Sequence, residues 1–184
     1  MVPACSPGFC AAPDQQPALT SDSKPKLGLL TDGTRLYYTS PALPNLTDWR
    51  IFQVSAKGGE ASPLPGTMHN ACPLDISRDG SELLVRSTVG WDGPDGWKNP
   101  SALWIQPVMG GSPRRVGDLM AQDAAWSPDG SKIVYARGHS IAIAKADGSR
   151  LRRLATLDGS PFGLRWSPDG RGVSSVLCKR PRIF

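Results

Sequence analysis

Histidine is almost missing from this chain, and so are the arrangements of cysteine, acid and serine on which most catalytic or metal sites are built. Two histidines, His69 and His139, occur in 184 residues, and both fall at ordinary loop positions beside expected strands. A serine hydrolase needs a nucleophile on a strained turn, a histidine and an orienting acid; no Gly-x-Ser-x-Gly segment occurs, and no enzymatic activity is expected. Cys5, Cys10, Cys72 and Cys178 are scattered without the close pairs of a zinc ribbon or redox motif. His69 and Cys72 stand three apart with no second pair to complete four ligands, so no metal is expected. No run approaches the roughly 20 apolar residues of a membrane span, and no basic stretch followed by an apolar core marks a secretory signal. Walker and dinucleotide fingerprints are absent too. The pairs Gly58-Gly59 and Gly110-Gly111 lie between expected strands, with no helix start to hold a phosphate, and no cofactor is expected.

What is abundant is turn chemistry. The chain has 20 glycines and 18 prolines against 39% hydrophobic and 20% charged residues, the composition of a globular chain with many short strands and few helices. The formal charge of +5 is concentrated after Arg150, where Arg152, Arg153, Arg165, Arg171, Lys179, Arg180 and Arg182 face only Asp158 and Asp169. No aromatic platform or reading helix accompanies these cations. They read as charge that blunts strand edges, and nucleic acid is not an expected partner.

Repetition carries the fold. Asp-Gly recurs at Asp32, Asp79, Asp129 and Asp169, at intervals of 47, 50 and 40 residues, the length of a propeller blade. Three positions before each Asp stand Leu29, Ile76, Trp126 and Trp166; four positions after it stand Leu36, Leu83, Ile133 and Val173. Asp-Gly between alternating apolar residues predicts a β-hairpin with a tight two-residue turn of the primed type. A second hairpin follows in each copy, through 51–59, 103–111 and 140–148, with a fourth strand near Leu64, Val116 and Leu154. Four antiparallel strands make one blade. Blades stabilise one another by stacking, which assigns Trp126 and Trp166 to the cores between them.

Residues 126–130 and 166–170 both read WSPDG, with SRDG at 77–80 and TDG at 31–33 as weaker copies. This element resembles the WD40-like PD40 repeats of the periplasmic protein TolB, also found in the propellers of prolyl-oligopeptidase-type peptidases. The succession of copies looks most like the TolB-like propeller of certain bacterial winged-helix regulators. The resemblance implies an all-β partial β-propeller of about three and a half four-stranded antiparallel blades. The expected organisation is a flexible lead-in over 1–25, blades over 26–66, 67–118 and 119–157, a partial blade over 158–173, and an irregular tail over 174–184. It implies a truncated propeller and a periplasmic or extracytoplasmic location.

Two functions fit. One is a non-enzymatic protein-interaction or ligand-sensing module; the other is a remnant of the gating propeller of a peptidase without its catalytic domain. The loop Val89–Ser101 is the longest insertion, and its Trp91, Asp92, Asp95 and Trp97 are the candidate partner-binding residues. The alternative is that both tryptophans fold back over blade two. An incomplete ring should also expose apolar side chains on blade one and on the half-blade carrying Trp166, favouring self-association or a protein partner.

Overall fold

The computed structural model describes residues 20, 22–42, 48–66, 68–87 and 99–178, and among them there are only strands, turns and loops. Blade one is β1 (Leu27–Thr31), β2 (Arg35–Pro41), β3 (Trp49–Ser55) and β4 (Ser62–Pro63). Blade two is β5 (Ala71–Ile76), β6 (Glu82–Ser87), β7 (Ser101–Pro107) and β8 (Arg114–Ala121). Blade three is β9 (Asp123–Trp126), β10 (Lys132–Arg137), β11 (Ser140–Lys145) and β12 (Arg152–Thr156). A final pair, β13 (Ser160–Trp166) and β14 (Val173–Cys178), forms a two-stranded half-blade. Each sheet is antiparallel with its strands in sequence order. The molecule is a partial β-propeller, as the repeat predicts.

The innermost strands β1, β5, β9 and β13 lie side by side around the axis, and three buried clusters correspond to the three junctions between sheets. Leu30, Tyr37, Ile51 and Leu64 of blade one meet Ala71, Leu83, Val85 and Val108 of blade two. Leu84, Leu103, Ile105, Val116 and Leu119 of blade two meet Ala124, Trp126, Ile133 and Tyr135 of blade three. Ala125, Val134, Ala136 and Ile141 of blade three meet Leu164 of the half-blade. The two-residue period of a strand explains how one element feeds two cores: Leu83 and Val85 point back to blade one, while Leu84 points forward to blade three. Trp126 is buried in its junction and Trp166 is half-buried in the next, donating its Nε1–H to the Ala125 carbonyl at 3.2 Å.

Four details differ from the expectation. Three of the four Asp-Gly turns are longer than two residues. In β5–β6 the Gly80 N–H donates to Ser77 O at 2.9 Å and the Ser77 N–H to Glu82 O at 2.8 Å, with φ 71° at Gly80 and no positive φ at Asp79. The same bonds recur at Ser127/Gly130 and Ser167/Gly170. Only the Asp32 site is a two-residue connection, Gly33–Thr34, closed by Asp32 N–H to Arg35 O at 3.3 Å. That shorter turn shifts the first copy's register: Thr31, not Leu29, pairs with Leu36 as Ile76, Trp126 and Trp166 pair with Leu83, Ile133 and Val173. Leu29 is accordingly 64% exposed.

Blade two runs past its expected boundary, because β8 continues to Ala121 and buries Leu119 and Ala121 in the second junction. The tail is not irregular after Val173. Residues Val173–Cys178 pair with β13 from Trp166↔Val173 to Ser160↔Cys178; the hairpin delivers the chain alongside β13, and backbone pairing makes the strand although none of its residues is fully buried. The last residues of the lead-in lie along β2, with Ser40 Oγ donating to Pro25 O at 3.0 Å and Lys24 Nζ to Pro41 O at 3.3 Å.

The outer hairpins show how blades nest. Gly148, in the β11–β12 turn, sits so close to β8 that a Cβ there would lie 2.8 Å from the Val116 carbonyl oxygen, and the equivalent Gly110 rests on Pro65 after β4. Gly58 holds the equivalent place in blade one with the same φ as Gly148, 86°, yet no described atom lies within 4 Å of a Cβ there. Alanine at either position carries the backbone cost of a positive φ, about 1 kcal/mol. Only at Gly148 must it also push two blades apart, adding about 1–3 kcal/mol. Urea denaturation of Gly148→Ala and Gly58→Ala should therefore show the former clearly less stable; equal losses would refute this nesting.

Candidate functional site

Consecutive antiparallel strands put alternate connections at opposite ends of each blade, so the arc has two rims. The first carries the four Asp-Gly turns and the turns between third and fourth strands. Here the aspartates are consumed by their own loops. Asp129 Oδ1 accepts from Ser127 Oγ at 2.5 Å and from the Ser131 N–H at 3.1 Å, and Ser127 Oγ accepts the Lys132 N–H at 2.9 Å. Asp79 repeats this with Ser77 and Ser81, and Asp169 with Ser167 and Arg171. The serine hydroxyl bonds, then the loop N–H groups, hold Asp79 and Asp129 down at about 2 and draw Asp169 down as well. At Asp32, desolvation opposes ionisation, but bonds from the Arg35 and Thr34 N–H groups and from the Thr34 and Tyr37 hydroxyls bring it to about 2. The repeated Ser-x-Asp-Gly element is thus a self-bonded turn lock in three of the four sheets, and a shorter Thr-Asp-Gly turn takes its place in blade one.

The second rim is not uniform. Blade three makes its connection there with Gly138 and His139 alone. In blade one the connection runs from Ala42 to Asp48, where the Ala42 N–H donates to Asp48 O at 2.7 Å. In blade two it runs over 88–100. Trp91, Asp92, Asp95 and Trp97 belong to this last connection, within 88–98 and outside the described residues. Its stems are described. At one of them the buried Arg86 reaches the Asn99 carbonyl at 3.5 Å.

On the same rim lies a charged cluster that sequence reasoning missed. Asp48 accepts from Arg50 Nε at 3.0 Å through one carboxylate oxygen and faces His69 Nδ1 at 2.7 Å through the other. Desolvation works to raise its pKa, but the bonds to His69 and Arg50 outweigh it and lower it. The His69 side chain is 62% exposed, so the cluster presents an imidazole to solvent. His69 and Asp48 are 21 residues apart in two different connections, and only the blade geometry brings them together. Among the described residues no group of three or more His, Cys, Asp or Glu side chains is placed to hold a metal.

At the axis, two carboxylates stitch successive blades. Asp75 on β5 accepts the Trp126 N–H of β9 at 2.8 Å, and Asp123 on β9 accepts the Leu164 N–H of β13 at 2.7 Å as well as its neighbour Ala124 N–H at 2.9 Å. Burial raises the pKa of both, against the pull of those N–H bonds and of Arg165. Asp75 interrupts a mostly apolar inner strand and Asp123 opens one, the one sequence signal that could have found them.

No protein-family model and no curated protein matches the chain. Solved structures do. TolB from Agrobacterium tumefaciens superposes with a TM-score of 0.64 at 17% identity, over 83% of this chain and 53% of that one. TolB from Acinetobacter baumannii gives 0.66 at 18%, over 89% and 40%. The fold is that of a TolB-like propeller. A gluconolactonase from Xanthomonas campestris is similar too, with a TM-score of 0.59 at 15% identity over 86% of this chain and 57% of that one. The chain spans about half the length of these propellers, and such likeness speaks for fold alone, since propellers serve enzymes and non-enzymes.

The two carboxylate classes act on stability with opposite sign. As pH falls from neutral through the raised pKa values of Asp75 and Asp123, the folded chain takes up protons before the unfolded chain, and stability rises. Below about pH 4 the unfolded aspartates protonate, whereas Asp32, Asp79 and Asp129 hold their charge to about 2 when folded, and stability is lost through that window. Thermal unfolding followed by circular dichroism should show Tm passing through a maximum between neutral pH and about pH 4 and falling below it. Asp129→Asn should flatten the acid limb; a Tm still climbing toward about pH 2.5 would contradict the assignment.

Proposed function

We propose that the chain is a non-enzymatic protein-interaction module that docks its partner on the second rim, through the loop carrying Trp91, Asp92, Asp95 and Trp97. The observation that carries this reading is the contrast between the rims. One locks a turn with an aspartate in every sheet, in the same way in three and in a shorter form in blade one, while the other changes connection length from blade to blade and displays the Asp48–Arg50–His69 cluster. Variation of loops on a rigid scaffold is how folds of this kind acquire binding sites. Two tryptophans in one loop offer large contact area, and the two carboxylates between them in sequence offer polar contacts. The half-buried Asp75 and the buried Asp123 are engaged by backbone N–H groups of the next blade, an arrangement suited to holding the arc together. The WSPDG copies support a PD40-type repeat and, with it, an extracytoplasmic location.

Affinity capture with the purified chain from the extracytoplasmic fraction of its host, read by quantitative mass spectrometry, tests this. Trp91→Ala/Trp97→Ala should lose the specifically captured protein by roughly tenfold or more while its circular dichroism and Tm stay unchanged, and the recaptured partner should bind the wild-type chain directly in titration calorimetry. A capture profile indifferent to both tryptophans, or turnover of lactone or peptide substrates by the purified chain, would defeat the proposal.

A further inference from the structure

Equivalent positions in successive blades can be compared one by one, and the first junction differs from the second. In the second, Ile105 of blade two pairs with Leu84, Ala144 of blade three pairs with Ile133, and all four are buried in one apolar cluster. The equivalent pairs in the first junction are Gln53 with Tyr37 and Gln106 with Leu83. Tyr37 and Leu83 belong to the cluster between blades one and two, and paired residues share a face of the sheet. Two glutamines thus stand on the facing sides of these blades, where the next junction has isoleucine and alanine.

Their amides are not consumed by the fold. Gln106 is fully buried and donates Nε2–H to the Pro107 carbonyl at 3.0 Å, yet its Oε1 accepts from no group of the protein. Gln53 Oε1 is buried in the same unbonded state, and so is Nε1 of Trp104, which packs against the same cluster. A buried polar atom without a hydrogen bond costs stability, and this junction carries all three. Gln53 differs from the other two in lining an open cleft of about 530 Å³ at the first-rim end of the junction. Pro65, Val108 and Met109 give the cleft an apolar side, Met109 being 83% exposed, and the exposed Arg35 and Glu60 bring opposite charges to it. Both walls belong to four-stranded blades.

We propose that this cleft binds a short extended peptide segment of a partner, one of whose backbone N–H groups donates to Gln53 Oε1. That oxygen comes to the cleft by rotation about the last side-chain bond, a soft torsion, and gives up no hydrogen bond in doing so. A neutral carbonyl calls for a donor, which a peptide N–H supplies and a phosphate, an acceptor only, does not. No aromatic ring lines the cleft for a sugar to stack on. The unbranched, exposed Met109 adapts to side chains of different shape, and Arg35 with Glu60 suits a segment carrying both signs of charge. The cleft lies at the opposite rim from the blade-two connection, so it is a second docking point that does not rest on the first.

The test uses the full 184-residue chain carrying Trp91→Ala and Trp97→Ala, which takes the second-rim loop out of the measurement. Short linear peptides selected on it from a random phage-displayed library, synthesised with blocked ends and titrated calorimetrically, should bind with a dissociation constant in the micromolar range. Gln53→Ile, which installs the residue blade two has at this position, should weaken binding by roughly fivefold or more while Tm stays level or rises. Met109→Ser should weaken it too with Tm unchanged, and N-methylation of one peptide N–H should abolish it. Gln106→Met, away from the cleft, should leave binding as it is. Selection of no peptide, binding indifferent to either Gln53→Ile or Met109→Ser, a Tm lowered by Gln53→Ile, or binding of neutral oligosaccharides in place of peptides would each overturn the inference. Because every measurement is made with Trp91 and Trp97 already replaced, this proposal and the second-rim reading fail separately.

Discussion

A four-stranded antiparallel sheet with apolar side chains on both faces cannot hide either face by itself, and everything else in this molecule follows from that constraint. Leu83 and Leu84 are adjacent in sequence and both fully buried, yet they belong to different junctions. Each blade is therefore stable only as a neighbour. The polar groups follow the same logic: Asp75 and Asp123 give their carboxylates to the next blade's backbone, and Thr39 Oγ1 bonds the Ala71 carbonyl at 2.6 Å across the first junction.

Among the described residues, the constraint is met at the three junctions and not on the outer faces of blade one and the half-blade. Blade one leaves Leu27 and Leu29 exposed and its Gly58 turn without a described neighbour, while the half-blade leaves Val176 and Leu177 exposed. Trp166 is not among the exposed residues, since Leu164 and Ala125 hold it in the third junction. The scaffold thus separates its surfaces by kind. One rim is locked turn by turn, and the other changes connection length from blade to blade.

Much of the architecture was legible in the sequence because the repeat writes the same physical requirement three times, with a shorter copy before them. A serine, an aspartate and a glycine at fixed offsets make a turn that satisfies its own N–H groups, and apolar residues in register on both sides make the strands it joins. Where the copies differ, counting failed. The first copy lacks the residues of the longer turn, so Leu29 was aligned with Trp126 although the backbone places Thr31 there. The strand at 173–178 was invisible because apolar alternation reports burial, and this strand is held by pairing to β13 with most of its side chains near solvent.

The sequence alone determined that the chain folds as all-β blades of propeller length, since turn chemistry and two-residue periodicity are local properties that need no partner to be expressed. Tertiary structure alone decided which residues meet across blades: Asp48 with His69, Asp75 with the Trp126 N–H, and Gly148 with the Val116 carbonyl. These contacts join segments tens of residues apart, and their geometry depends on the angle and distance at which whole sheets stack. No pattern within one blade encodes that arrangement, because it arises only when the next blade arrives to bury the face that the first cannot.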